Sequence, residues 1–250
     1  MNKIQLCNNY INELSSIKNL SKNSIKVYSS VINEFYKYKW NREGLINYMN
    51  DVKSQKANTI SRKIVIVKNF LNYCYDKNKL TEKFWEELKA PRQKKLPKYL
   101  TKEEVEKIIK NSAEPYNNIY NFIYKTGLRI SELYNIIDIQ KNEDEYILKI
   151  AGKGNKERNL RVNEQIYFLY KKIIKKELPS IRSIQRNITK ASKKAKIYKK
   201  VTVHTLRHSF AINLVNNNVP INSIQSVLGH SNLSTTGIYL KVSSDEITLE

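Results

Sequence analysis

Cysteine is scarce. Cys7 and Cys74 stand far apart, without a CxxC spacing and without a histidine nearby. That excludes a disulfide framework and a cysteine-based zinc site, and it points to a reducing compartment. No apolar run reaches 18 residues, and the N-terminal stretch MNKIQLCNNYINEL carries no long apolar segment. A membrane span and a secretory leader are therefore not expected, and the reading is of a soluble, intracellular, cytoplasmic protein. Acidic residues are few, 23 against 45 basic ones, which gives a formal charge of +22. Such an excess points to a polyanionic partner, although the abundance of Lys, Asn, Ile and Tyr is also what AT-rich codons favour. Arginine is rare within that excess, nine against 36 lysines. Histidine is rarer still: the three histidines, His204, His208 and His230, fall inside one stretch near the C-terminal end.

What is present reads mostly as helix. Ile25, Tyr28, Ile32 and Phe35 within residues 23–38, and Ile60, Ile64, Val67, Leu71 and Cys74 within 58–75, recur every three or four positions, the period of an amphipathic helix. Further helices are expected near 3–16, 42–53 and 82–89. Residues 90–99, APRQKKLPKY, hold two prolines among four basic residues and break helix. They divide the chain into an N-terminal helical domain over 1–90, a linker over 91–99 and a second domain over 100–250. Residues 1–90 carry +8 and the remainder +14, so both parts can meet a polyanion. Two basic domains joined by a linker can close on opposite faces of a duplex.

Thr101 and Glu104 form a capping-box pattern that opens a helix over 102–111, and another spans 116–126. Past Gly127 the period changes. Residues 146–150 and 159–162 alternate as strands about Gly152-Lys153-Gly154-Asn155, a hairpin signal. Helices resume near 163–176, 180–196, 205–217, 221–228 and 234–241. The expected fold class is mainly α with a small antiparallel β-sheet, and no internal repeat is visible.

Four segments carry groups capable of phosphate chemistry. In TGLRISEL, residues 126–133, Arg129 stands at a helix start, where unpaired backbone N–H groups favour an anion; read alone, it fits better a surface arginine paired with Glu132. In GKGNKER, residues 152–158, Lys153 sits between glycines in an exposed turn. His204, Arg207 and His208 share one helix face at i, i+3 and i+4. His204 and His208 also fit metal-ligand spacing, but no cysteine or acidic residue lies close enough in sequence to complete a site. His230 follows Leu228-Gly229 at a helix end, and Tyr239 lies nine residues on.

Taken in order and with their spacings, TGLRISEL, GKGNKER, HTLRHSFA and LGHSNLSTTGIY resemble the signature blocks of the tyrosine recombinases, the phage integrase family, Xer-type enzymes and archaeal or mobile-element relatives above all. The resemblance is strong over 97–250 and looser over 1–90. It implies an N-terminal core-binding domain that clamps DNA and a C-terminal catalytic domain. It implies Tyr239 as the nucleophile on the scissile phosphate, and Arg129 and Arg207 on the non-bridging oxygens. His204 would assist proton movement and phosphate binding. His230 would stabilise the pentavalent state, Lys153 would protonate the leaving 5′ oxygen, and Glu132 would support the arginines. The activity implied is site-specific recombination of double-stranded DNA through a 3′-phosphotyrosyl intermediate and a Holliday junction. Two subunits would bind each site and four would form the synapse, in the cytoplasm at the nucleoid. No metal, ATP or other cofactor is needed, because fixed cations do the electrostatic work and the phosphotyrosine ester keeps the bond energy.

Gly237 departs from the family pattern. It weakens the helix before Tyr239 by up to ~1 kcal/mol relative to alanine, so that segment is expected to order only on DNA. The 11 residues after Tyr239 leave room for about two helical turns, short for the C-terminal helix that relatives donate to a neighbouring subunit. A dense basic run at Lys190, Lys193, Lys194, Lys196, Lys199 and Lys200 is suited to DNA phosphates. A type IB topoisomerase uses similar chemistry, and a DNA-binding protein without activity is the alternative outside enzymes.

Overall fold

A computed structural model describes residues 2–91, 98–152, 157–229, 237 and 239. The chain separates into two compact units, Met1–Lys95 and Leu96–Glu250.

The first unit is built from α1 (Lys3–Ser16), α2 (Lys22–Phe35), α3 (Arg42–Val52) and α4 (Ala57–Asp76). Asn2, Ser21 and Asn41 cap the first three, each side chain accepting from a backbone N–H of the first turn. Tyr10, Phe35, Tyr48, Phe70 and Leu71 fill the centre. Tyr10 meets Phe70 at 5.3 Å between ring centroids, and Phe35 meets Tyr48 edge-on at 5.2 Å, the tilted arrangements that aromatic quadrupoles favour. Cys7 and Cys74 are free and buried. Burial pushes their thiols up to about 11 and about 12, so both stay protonated and unreactive at neutral pH.

The helix expected over 82–89 does not form. Phe84–Glu87 is a turn instead. Trp85 is driven fully into the core, where its Nε1–H donates to Asn72 Oδ1 at 2.8 Å. Lys68 Nζ donates to the carbonyls of Glu86 and Leu88. A side chain from α4 thus satisfies backbone acceptors of the turn.

The second unit opens with α5 (Lys102–Lys110), where the Thr101–Glu104 capping box is present in both directions. Then come α6 (Tyr116–Thr126), α7 (Ile130–Leu133) and a three-stranded antiparallel sheet in the order β1 (Ile136–Asn142), β2 (Glu145–Ala151), β3 (Glu157–Asn163). Helices α8 (Glu164–Ile174), α9 (Ile181–Lys194), α10 (Val203–Asn216) and α11 (Ile221–Leu228) complete it. Leu148 and Leu160 face each other across β2 and β3, both buried. Strand β1 was not expected. It is an edge strand exposed over most of its length, so it lacks the apolar alternation that marks a strand. Glu143 reverses the chain with a φ of 49° without a glycine.

Helix α10 buries most of its circumference, including Leu206, Arg207, Ser209, Ala211 and Ile212, and packs against α6 and α11. Ser209 Oγ accepts from the Leu100 N–H and donates to the Thr205 carbonyl, each at 2.8 Å. That pair ties the start of the unit to its central helix. Of the helix expected over 234–241, Gly237 and Tyr239 are described, both helical; the other positions lie outside the described residues, as does the tail after Tyr239. No helix among the described residues is long and apolar enough to cross a membrane.

Candidate active site

The site is assembled where two helices end. Helix α6 stops at Gly127 with φ 65°, and α11 stops at Gly229 with φ 62°. Both are left-handed caps that a side chain disfavours. At Gly127 space also forbids one, since a Cβ would sit 2.4 Å from Phe210 Cδ1. The last carbonyls of a helix lack intrahelical partners and carry partial negative charge. Arg207, on α10 and 2% exposed, fills that need. Its two terminal nitrogens donate at 2.7 Å to the carbonyls of Gly127 and Leu228. A buried guanidinium is thus held as a rigid fork between two helix C-termini.

Glu132 sits at the centre of the charges. It is 6% exposed. Its Oε1 accepts from Arg129 at 2.8 Å, and its Oε2 accepts from Arg158 at 3.0 Å and from the Arg129 backbone N–H at 2.8 Å. Arg207 lies 3.7 Å from the same Oε2. Burial alone would raise the Glu132 carboxyl. The Arg129 N–H and the Arg158 and Arg129 charges outweigh it and hold the group below the ordinary carboxylate range. Arg207 is pushed down to about 10, first by burial and then by Arg129, and it remains cationic at neutral pH. Three guanidiniums therefore face one carboxylate, and the surplus is positive.

Glu132→Gln removes the only negative charge described in this cluster. We expect a loss of about 3–5 kcal/mol, the scale for breaking one side of a buried ion pair, measured by denaturant unfolding. Because the folded pKa is lowered, the charge stabilises fully above the unfolded value near 4.3. That stabilisation is lost as pH falls through the lower folded value. The gap between wild type and Glu132→Gln should accordingly be widest above about pH 5 and narrow in acid; a pH-independent gap would refute this reading of the cluster.

Arg129 caps the N-terminus of α7 and is the most open of the three arginines, with its side chain 38% exposed. Arg129 pairs with Glu132 and stands at the start of α7. His204 is solvent-exposed on the first turn of α10, beside a pocket of about 390 Å³ lined also by Leu128, Ile130, Gln185, Thr202 and Val203. Partial desolvation, then Arg207 and Arg129, lower its pKa, so the imidazole is neutral at pH 7.

Tyr239 is 2% exposed, with its ring among Ala211, Ile212, Ile224 and Leu228. Its hydroxyl lies 2.8 Å from His208 Nδ1. Burial raises its pKa, while the charges of Arg207 and Arg129 pull it down. The His208 ring in turn meets the His204 ring edge-on at 5.0 Å. The structure thus brings Arg129, His204, Arg207 and Tyr239 to one place. Lys153 and His230 lie outside the described residues.

Sequence reasoning missed two residues. Arg158 closes the GKGNKER block, and its guanidinium also donates to the Val227 carbonyl, tying β3 to the end of α11. Its signal was the rarity of arginine within a block already singled out. His208 shares a helix face with His204 and Arg207, a position that gave it no role by itself, yet its Nδ1 lies within hydrogen-bond distance of the tyrosine hydroxyl. No group of three or more metal-ligating side chains occurs among the described residues.

Residues 98–246 match the Phage integrase family. A tyrosine recombinase of Thermosipho africanus is 31% identical over 93% of this chain and 93% of its own length. Tyrosine recombinase XerA of Pyrococcus horikoshii is 30% identical over 91% of this chain and 86% of its own. Among solved structures, a lambda integrase (75–356) dimer bound to a COC′ core site superposes with a TM-score of 0.82 at 15% identity, covering 100% of this chain and 99% of that one. XerH site-specific recombinase bound to palindromic difH, a post-cleavage complex, gives 0.74 at 19% identity over 91% and 79%. The fold is shared with these structures, and on the family match and the 31% identity across nearly its whole length the chain belongs to the phage integrase family, the tyrosine recombinases.

Proposed function

We propose that this chain cuts and rejoins double-stranded DNA at a specific site, with Tyr239 as the nucleophile, through a 3′-phosphotyrosyl intermediate and a Holliday junction. The observation that carries the reading is a buried tyrosine hydroxyl set against an imidazole within the field of Arg207 and Arg129. A phosphodiester in flight gathers negative charge on its equatorial oxygens, and pre-placed cations stabilise it there without reorganisation. Arg129, the more open arginine, and Arg207, the rigid one, bind those oxygens. His204 supports them and handles protons. From their sequence blocks, Lys153 protonates the leaving 5′ oxygen and His230 hydrogen-bonds the pentavalent phosphate. The cations do the work a metal does in other phosphoryl-transfer enzymes, and the ester conserves the bond energy for religation.

Residues 1–90 act as the core-binding domain that clamps DNA, 91–99 as the linker and 100–250 as the catalytic domain. Similar proteins support the assembly: lambda integrase has been seen as a dimer on a core site and as a tetramer on a Holliday junction. Two subunits on each site and four in the synapse follow by analogy. A cytoplasmic, nucleoid-associated place follows from a DNA substrate. The biological task is chromosome dimer resolution or integration and excision of a mobile element.

The test is covalent capture. Wild-type protein is incubated with a randomised pool of nicked suicide duplexes, and the attached strand is sequenced. The expected product is one site family joined through its 3′ phosphate to the Tyr239 peptide. Capture of every sequence alike would make the protein a topoisomerase, and no capture would leave it a DNA-binding protein.

A second consequence concerns protons. His204 is held below its ordinary pKa in the free protein, and an adjacent phosphate raises it. DNA binding between about pH 6 and 7 should therefore take up protons, read as a binding enthalpy that varies with the ionisation enthalpy of the buffer. His204→Gln should remove that share of the uptake; equal uptake by wild type and variant would contradict it.

A further inference from the structure

We propose that His208 is a catalytic residue of strand cleavage: through Nδ1 it accepts the hydrogen bond of the Tyr239 hydroxyl, aims the oxygen, and takes its proton as the bond to phosphorus forms. This rests on the reading of Tyr239 as the nucleophile and assigns the proton to a residue outside the six that the family resemblance supplies.

The geometry comes first. The Tyr239 ring is gripped by Ala211, Ile212, Ile224 and Leu228, and its hydroxyl meets His208 Nδ1 at 2.8 Å. The ring fixes one end of the side chain and the imidazole fixes the other, so the attacking oxygen has one direction. His208 rides on α10, the helix that carries Arg207 one residue earlier. The acceptor and the arginine are thus positioned by the same rigid element. His204, the other imidazole on that helix, touches His208 edge-on and makes no hydrogen bond to the hydroxyl among the described residues. With the proton of His208 on Nε2, Nδ1 presents its lone pair to Tyr239.

The chemistry then sets the timing. An ordinary imidazole has a pKa about 3.5 units below that of a tyrosine, and burial raises Tyr239 further. Transfer before attack is therefore uphill. As the oxygen bonds to phosphorus its basicity collapses, and the proton moves downhill to the nitrogen already in contact, which is general-base catalysis. The Tyr239 Oη–P bond forms and the P–O5′ bond breaks. The tyrosine proton passes to His208, which becomes imidazolium, and the departing O5′ takes a proton from Lys153. Religation runs the same transfers backwards.

The experiment uses the duplex that wild-type protein captures from the randomised pool, in two versions, one with the ordinary bridging 5′ oxygen at the scissile phosphate and one with bridging sulfur. A thiolate departs without a proton, so defects in leaving-group protonation vanish on sulfur while defects in nucleophile activation persist. His208→Phe should slow single-turnover cleavage about 10²-fold or more, equally on both duplexes. His208→Asn, whose amide can still accept from the hydroxyl, should keep more activity than His208→Phe. Lys153→Ala should be slow on oxygen and largely restored on sulfur. His208→Phe within threefold of wild type on the oxygen duplex, or restored on the sulfur duplex, would overturn the assignment. Adduct formation by Tyr239→Phe would instead overturn the reading of Tyr239 beneath it, as would the absence of any captured duplex.

Discussion

Tyr239→Phe is expected to fold, to bind DNA and to form no covalent adduct. The phenyl ring keeps every apolar contact that the tyrosine ring makes with Ala211, Ile212, Ile224 and Leu228. The change removes one hydrogen bond, to His208, so stability should move by about 1 kcal/mol or less. Cleavage, in contrast, has no other route through a protein–DNA ester. Loss of a covalent nucleophile costs on the order of 10⁶ in rate, which on a suicide duplex reads as no adduct. Salt-dependent binding should persist, because the lysines that neutralise phosphates are untouched. A variant that still formed the adduct would place the nucleophile on another of the 17 tyrosines.

Arg207→Ala should fail twice, in stability and in catalysis. Arg207 is 2% exposed, and its partners among the described residues include the carbonyl of Gly127, the carbonyl of Leu228 and the Glu132 carboxylate. Removing it strips the ends of α6 and α11 of their shared donor and withdraws one of the charges that balance a buried carboxylate. A loss of about 3–5 kcal/mol is expected, read by denaturant unfolding. Cleavage, measured well below the melting transition, should fall at least about 10²–10³-fold. Arg207→Lys separates the two effects. Lysine restores the charge and part of the stability, but a single ammonium does not reproduce a planar fork that reaches two carbonyls 2.7 Å from its two ends. Stability should recover more than rate. Equal recovery of both would mean that charge alone matters at this position.

Much of the fold was open to reading. Apolar spacing marks α2 and α4, the Thr101–Glu104 box formed as its pattern predicts, and the other helices apart from α7 stand near where they were expected. The β2–β3 hairpin came from alternation. The failures have physical causes. Strand β1 is exposed on an edge and is held by pairing with β2, so its residues carry no apolar code. Residues 82–89 lost their helix to Trp85, whose burial and Nε1 bond depend on packing against α4.

At the site, residue types and order were legible in four blocks, and membership of the phage integrase family follows from them together with the comparisons. Two things were not legible: that Arg158 joins Arg129 and Arg207 on one carboxylate, and that His208 is the imidazole against the Tyr239 hydroxyl. A helical repeat assigns a residue to a face, and its neighbours in sequence decide that much. Which face meets which depends on where other helices end. The left-handed stops at Gly127 and Gly229 turn two sets of terminal carbonyls toward α10. Only once those ends meet does an arginine in the middle of a helix become a buried fork and a nearby histidine become the partner of a tyrosine. By itself the sequence determined the chemistry available and the helices that carry it; the tertiary structure decided which groups touch, because the partners of a buried charge are set by packing between elements far apart in the chain.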